Sequence, residues 1–207
     1  MGIRSMVAEE RCELAAFLRT LSDEEWLGPT LCERWQVRDV LAHLLYDSLQ
    51  VLRYPGTILR ARFNVDRTND LMVQRYRRYT PAELLDMFEC GIGRGPATLL
   101  APRVSLSDTM VHHQDIRRPL NRPRQIETKR LLEVLGHPEP FARPRRFTHG
   151  LRFVASDVGF VAGDGPEVYG RGEALVMAMV GRPAVLDELT GPGVALLRAR
   201  ITAPPRS

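Results

Sequence analysis

The sequence predicts an α+β protein, with a helical bundle over residues 1–140 followed by a small mixed α/β unit over residues 148–203. Three observations predict it. Apolar residues recur at helical spacing, between recognisable caps and breakers, as far as about residue 135. After Gly150 the pattern changes to short runs that alternate with period two and are bounded by turn residues. The chain has 207 residues, 44% hydrophobic and 26% charged, the make-up of a soluble globular protein with one moderate domain and a small appendage.

The elements follow in order. Leu14, Phe17, Leu18 and Leu21 predict a first helix from Val7 to Leu21. Ser22 and Glu25 match a capping box that opens a short turn through Trp26, broken at Gly28-Pro29. A second helix is expected from Gln36 to Arg53, halted by Tyr54, Pro55 and Gly56. A third begins with Thr80 as N-cap, Pro81 at the first helical position and Glu83 closing the box, and is loosened by Gly91, Gly93, Gly95 and Pro96. A fourth starts near Ser105 or Ser107 and ends before Pro119, and a shorter one runs from Ile126 to Leu135. In the last third, Leu151–Ala155, Gly159–Gly163 and Glu167–Gly170 read as strands, followed by a helix from Arg171 to Val180 and an apolar segment from Val194 to Ile201. The domain boundary falls near 140–148. No internal repeat or low-complexity segment is present.

Composition excludes several classes. The longest apolar stretch, Ala174 to Val180, is far shorter than the roughly 20 residues of a membrane-spanning helix. The N-terminal residues are charged and helix-like, unlike a secretory signal. Cys12, Cys32 and Cys90 form no CxxC pair and leave an odd thiol, which points to a reducing compartment, the cytoplasm. Of 29 basic residues only Lys129 is lysine, a ratio that reads as coding bias. Between Arg117 and Arg152, ten basic residues stand against three acids. That segment reads as a solvated linker or an anion-attracting surface; with no recognition motif, nucleic acid is not an expected partner.

Candidate chemistry rests on histidines. His137 and His149 sit at loop edges, before Pro138 and Gly150. On the fourth helix, at roughly 100° per residue from Asp108, His112 lies about 40° to one side and Asp115 about 20° to the other. A carboxylate and an imidazole four residues apart on one helical face form either a two-point chelate or a plain surface pair. His113 points about 100° away from His112. His43, on the second helix, flanks the apolar stripe of Val37, Val40, Leu41, Leu44, Leu45, Val51 and Leu52, where it is a third ligand or a half-buried histidine bonded to backbone. Asp47 shares that flank, as a further ligand or as the orienter of an imidazole, and Asp115 is a second candidate for that role. Cys32, with no base identifiable beside it in sequence, reads as packing, and Trp35 as a staple fixing chain entry into the helix.

Two segments carry a family resemblance. Residues Trp26 to Leu44, WLGPTLCERWQVRDVLAHL, resemble the N-terminal signature of the mycothiol-dependent maleylpyruvate isomerase family, in which a Pro, a Cys and a Trp lead into a D-x-x-x-H-L helix. Residues Asp108 to Leu120, DTMVHHQDIRRPL, resemble the second hallmark of its actinobacterial branch, an acid-x3-His followed by Asp-Ile. The resemblance covers roughly residues 7–135, and Gly150 to Ile201 resembles, less distinctively, the family's small C-terminal domain. It implies a DinB-like four-helix bundle with a divalent metal, usually zinc, held by His43, Asp108 and His112. The fourth position would take water or a thiol, with mycothiol as cosubstrate for isomerisation or S-transfer on a small electrophilic substrate. The characterised isomerase has Glu where this chain has Asp108, which leaves the identity of the divalent ion open. Arg117 and Arg118 would attract an anionic substrate or complement the helix dipole. The competing reading is a non-catalytic metal-binding or sensor protein on the same bundle. A homodimer is compatible with either.

Overall fold

A computed structural model describes residues 2–47 and 65–203, which divide into two compact units, Met1–Pro123 and Arg124–Ser207. In the first unit, α1 spans Ile3–Leu18, and the short α2, Asp23–Trp26, opens with the expected capping box: Glu25 N donates to Ser22 Oγ, and Ser22 N to Glu25 Oε2. Helix α3 covers Val37–Leu44 and tightens into a 3-10 turn at Leu45–Asp47. Its expected continuation to Arg53 and the Tyr54-Pro55-Gly56 stop lie outside the described residues.

Helix α4, Val65–Tyr76, is an addition to the sequence expectation; its buried Met72, Val73 and Tyr76 form only a narrow apolar stripe in a polar segment. Helix α5, Pro81–Cys90, begins as expected, with Thr80 and Glu83 exchanging both capping bonds around Pro81. Two prolines then each open a helix at the first turn: α6 over Pro96–Leu100 and α7 over Pro102–Arg117. The last therefore starts one turn earlier than Ser105.

Helices α1, α3, α5 and α7 form the bundle, each packing on two of the others. Their shared core contains Leu14, Leu18, Val40, Leu41, Leu44, Leu84, Phe88 and Ile116. Burying such side chains contributes roughly 1.5–3 kcal/mol each. That apolar packing is what fixes the facing sides of α3 and α7, where the candidate ligands lie.

In the second unit, α8 (Thr128–Gly136) packs on α10 (Gly172–Met179), with the short α9 (Arg145–Thr148) also on α10. Residues 124–140, which the sequence reading grouped with the bundle, thus pack with the later chain. Strands β1 (Arg152–Ala155), β2 (Val161–Ala162) and β3 (Glu167–Gly170) form a sheet of order β2-β1-β3. Phe153 pairs antiparallel with Ala162 and parallel with Val168. A 3-10 segment, Pro183–Glu188, and α11, Val194–Thr202, complete the unit. Gly181 adopts a φ of 81° where a Cβ would strike the Phe147 ring, so only glycine serves there. No described helix is long and apolar enough to cross a membrane.

Candidate metal centre

Helix α3 carries His43 in its last turn, and α7 carries Asp108 and His112 one turn apart. The packing of α3 on α7 brings all three side chains together, 7% and 8% exposed at the two histidines. One ligand atom from each lies within 4.8 Å of the others. Asp108 Oδ1 is 3.6 Å from His43 Nε2 and 3.4 Å from His112 Nε2, and the two rings meet edge-on at 4.8 Å. Asp108 Oδ2 is buried and makes no hydrogen bond of ordinary geometry, although the Tyr46 hydroxyl interacts with the carboxylate.

These separations discriminate between explanations. They are long for direct hydrogen bonds. They match the edge of a tetrahedron around a cation with bonds of about 2.0–2.2 Å, whose ligand–ligand distances are roughly 3.3–3.6 Å. A buried carboxylate facing two imidazole nitrogens at these distances is costly without a shared partner, and a cation is the partner that all three can share. The residues therefore fit a divalent metal, and the donor set suits zinc among others. The field in the cluster favours positive charge. Burial pushes the Asp108 carboxyl up, but the imidazoles of His112 and His43 outweigh it and hold its pKa at about 2. Burial lowers the His112 pKa, and Asp108, Cys32 and Asp115 together carry it well above its ordinary value.

The far side of His112 is built differently. Its Nδ1 is 2.9 Å from Asp115 Oδ2, and Cys32 Sγ–H donates to the same oxygen at 3.2 Å. A carboxylate only accepts, so Nδ1 carries a proton, and Nε2 faces Asp108 and His43, where a metal would take its lone pair. Cys32, His112 and Asp115 could also be grouped as three potential ligands. Their spacing, however, is that of satisfied hydrogen bonds, with Cys32 Sγ and His112 Nδ1 at 3.7 Å.

Cys32 and Trp35 are nearer the centre than their sequence suggested. Cys32 packs on the core as expected but also touches the Asp115–His112 pair. Trp35 stacks its ring 5.1 Å from that of His43 and 6.2 Å from that of His112, forming a wall of the site rather than only a staple. Their loop is held in place by several bonds: Leu31 N donates to Asp115 O, Thr30 Oγ1 to Trp35 O, Cys32 N to Thr30 Oγ1, and Val37 N to Gly28 O. Tyr46 adds a third aromatic, its ring 5.5 Å from that of His43 and its buried hydroxyl interacting with the Asp108 carboxylate. Burial first, and the charge of Asp108 second, push its phenol pKa well up.

Two other expected residues have different surroundings. Asp47 orients no imidazole; its carboxylate is taken up by Thr98, Ser105 and Arg11. Arg117 lies over the Phe17 ring at 3.8 Å and donates from Nε to His113 Nε2. Arg118 follows it at the helix end, its backbone N–H on Gln114 O.

The fold is thus a helical bundle in which two helices bring two histidines and a carboxylate together. Residues 7–101 match the family described as the mycothiol maleylpyruvate isomerase N-terminal domain. The matched segment includes His43 and ends before Asp108.

Two solved structures share the fold at low identity. A mycothiol-dependent maleylpyruvate isomerase with one histidine replaced by alanine is 14% identical, with a TM-score of 0.56, over 92% of this chain and 91% of that one. The mycothiol-dependent maleylpyruvate isomerase itself is 13% identical, with a TM-score of 0.50, over the same shares. No curated protein sequence matches the chain.

Proposed function

We propose that this protein is a cytoplasmic metal-dependent enzyme, with zinc held by His43, Asp108 and His112. Its reaction is the activation of a low-molecular-weight thiol, mycothiol, for isomerisation of, or S-transfer to, a small electrophilic substrate. The observation that carries the reading is the convergence of one Asp108 oxygen on two imidazole nitrogens at 3.4 and 3.6 Å among buried side chains. The N-terminal domain family and the two solved neighbours supply the thiol and the reaction class.

A zinc held by these three residues would supply the positive charge that keeps a bound thiol as thiolate at neutral pH. The protein's own residues prepare that site. Asp115 accepts the Nδ1 proton of His112 and so fixes the tautomer that leaves Nε2 as a donor. Trp35 and Tyr46 line His43 with aromatic surface and limit the access of water. The Asp108 carboxyl, held low by the imidazoles of His112 and His43, brings a negative charge at neutral pH.

Elemental analysis of purified protein, paired with the His112→Ala variant, tests the reading. The wild type is expected to hold about one zinc per chain and the variant close to none. A wild type that stays metal-free after reconstitution overturns it. Incubation with mycothiol and a maleyl-type electrophile then separates turnover from metal binding alone.

A further inference from the structure

One turn away from the ligands lies a second polar knot, assigned no part in the chemistry above. Asp47 is completely buried, and its carboxylate takes hydrogen bonds from two other elements and an ion pair from a third. Thr98 N of α6 donates to Oδ1 at 3.0 Å, and Thr98 Oγ1 donates to Oδ2. Ser105 Oγ of α7 donates to Oδ2 at 2.9 Å, and Arg11 Nη1 of α1 lies 3.6 Å from the same oxygen. Arg11 is itself fully buried, donates from Nη2 to Leu44 O at the end of α3, and lies over the Phe88 ring at 4.2 Å. The chain closes tightly around the knot: a Cβ at Gly95 would collide with both the carbonyl oxygen and the carboxylate of Asp47.

The location of this knot gives it a use. Asp47 follows His43 by four residues, and Ser105 precedes Asp108 by three, so the bond between them joins α3 to α7 about one turn from the ligands on each side. Ligand distances in a metal site tolerate only about 0.2 Å. A slip of α7 by one residue would move Asp108 and His112 by roughly 1.5 Å along the axis and turn them by about 100°. Apolar packing alone tolerates small slides more readily than a set of directional bonds around one carboxylate.

We propose that Asp47 is a positioning residue for the centre, pinning through Ser105 the register in which α3 and α7 present His43, Asp108 and His112. The proposal rests on the metal reading and adds a residue that touches none of the ligands. A buried carboxylate could be no more than part of the core. In that case its loss would lower stability and leave the metal affinity of the folded protein untouched.

The experiment measures zinc affinity by competition with a chromogenic chelator, and the visible spectrum of the cobalt-loaded protein, for wild type, Asp47→Asn and Ser105→Ala. Circular dichroism and thermal melting confirm that each variant is folded at the assay temperature. Ser105→Ala removes one donor and no charge; Asp47→Asn keeps the shape and removes the charge. Asp47→Asn is expected to weaken zinc binding by about ten- to a hundredfold, and Ser105→Ala by roughly three- to tenfold, with altered cobalt bands in both. Folded variants with wild-type affinity and spectra overturn the pin while leaving the metal reading intact. If Asp47→Asn does not fold, Ser105→Ala decides by itself. A wild type that binds neither ion overturns the metal reading, and the pin falls with it.

Discussion

His112 and His113 are consecutive residues of α7, both buried, yet they face opposite sides of the helix and meet opposite circumstances. His113 Nδ1 is 2.9 Å from Glu10 Oε1, and its Nε2 accepts from Arg117 Nε at 2.8 Å. Both ring nitrogens are engaged, and the chain Glu10–His113–Arg117 ties α1 to α7 beside Phe17. On the other face, only Nδ1 of His112 has hydrogen-bond geometry; Nε2 faces the Asp108 oxygen at 3.4 Å. Burial is common to both residues and so identifies neither as functional. What separates them is satisfaction: one imidazole has closed its bonds within the protein, and the other turns a ring nitrogen that makes no close hydrogen bond towards the Asp108 carboxylate and the His43 ring.

Substitutions on each face can break this comparison. The largest effect on stability is expected from His113→Ala, which deprives the buried Glu10 of its imidazole and Arg117 of its acceptor. A loss of about 3–5 kcal/mol in denaturant unfolding is expected, with zinc content per folded chain unchanged. A variant that lost its metal while still folded would erase the distinction between the two faces.

Asp115→Asn sharpens the comparison from the other side. It leaves the fold in place but offers His112 Nδ1 an amide in place of a carboxylate, and zinc affinity by chelator competition is expected to drop about tenfold or more. Thr80→Ala, remote from both faces, sets the scale of an ordinary surface contribution: about 1 kcal/mol of stability and no change in metal. The same cap has a pH signature. Bonds from the Thr80 backbone and side chain hold the Glu83 carboxyl below its ordinary value of 4.5. Its contribution is therefore complete at neutral pH and disappears as acidification passes through the lower, folded value. Thermal melting of wild type and Thr80→Ala between neutral and acid pH checks this, the gap between them narrowing as acid is added.

How far the sequence revealed these features depended on how local each one was. The shared face of Asp108, His112 and Asp115 follows from helical periodicity, and the Thr80-Pro81-Glu83 start from capping chemistry, so both were readable. His43 could be placed at the flank of an apolar stripe, but periodicity does not say which helix that flank meets. Cys32 and Trp35 were beyond reach for a stronger reason. Their positions depend on Thr30 bridging its own loop and on Leu31 bonding to Asp115, a partner more than 80 positions away. Asp47 shows the limit of face arguments. It shares a flank with His43, yet the 3-10 turn at Leu45–Asp47 and three partners from other elements give it a different role. Helix α4 was missed because Met72, Val73 and Tyr76 are too few apolar residues to mark a period among so many polar ones.

On the proposed reading, the arrangement of ligands has a mechanical consequence. His43 and Asp108 are about 65 positions apart in the chain, so an ion gripped by both closes a long loop, much as a disulfide would. Such a tether restricts the unfolded chain as well as joining two helices of the folded one. Loading the centre and hardening the bundle against heat would then be a single event, and a chelator would act as a denaturant.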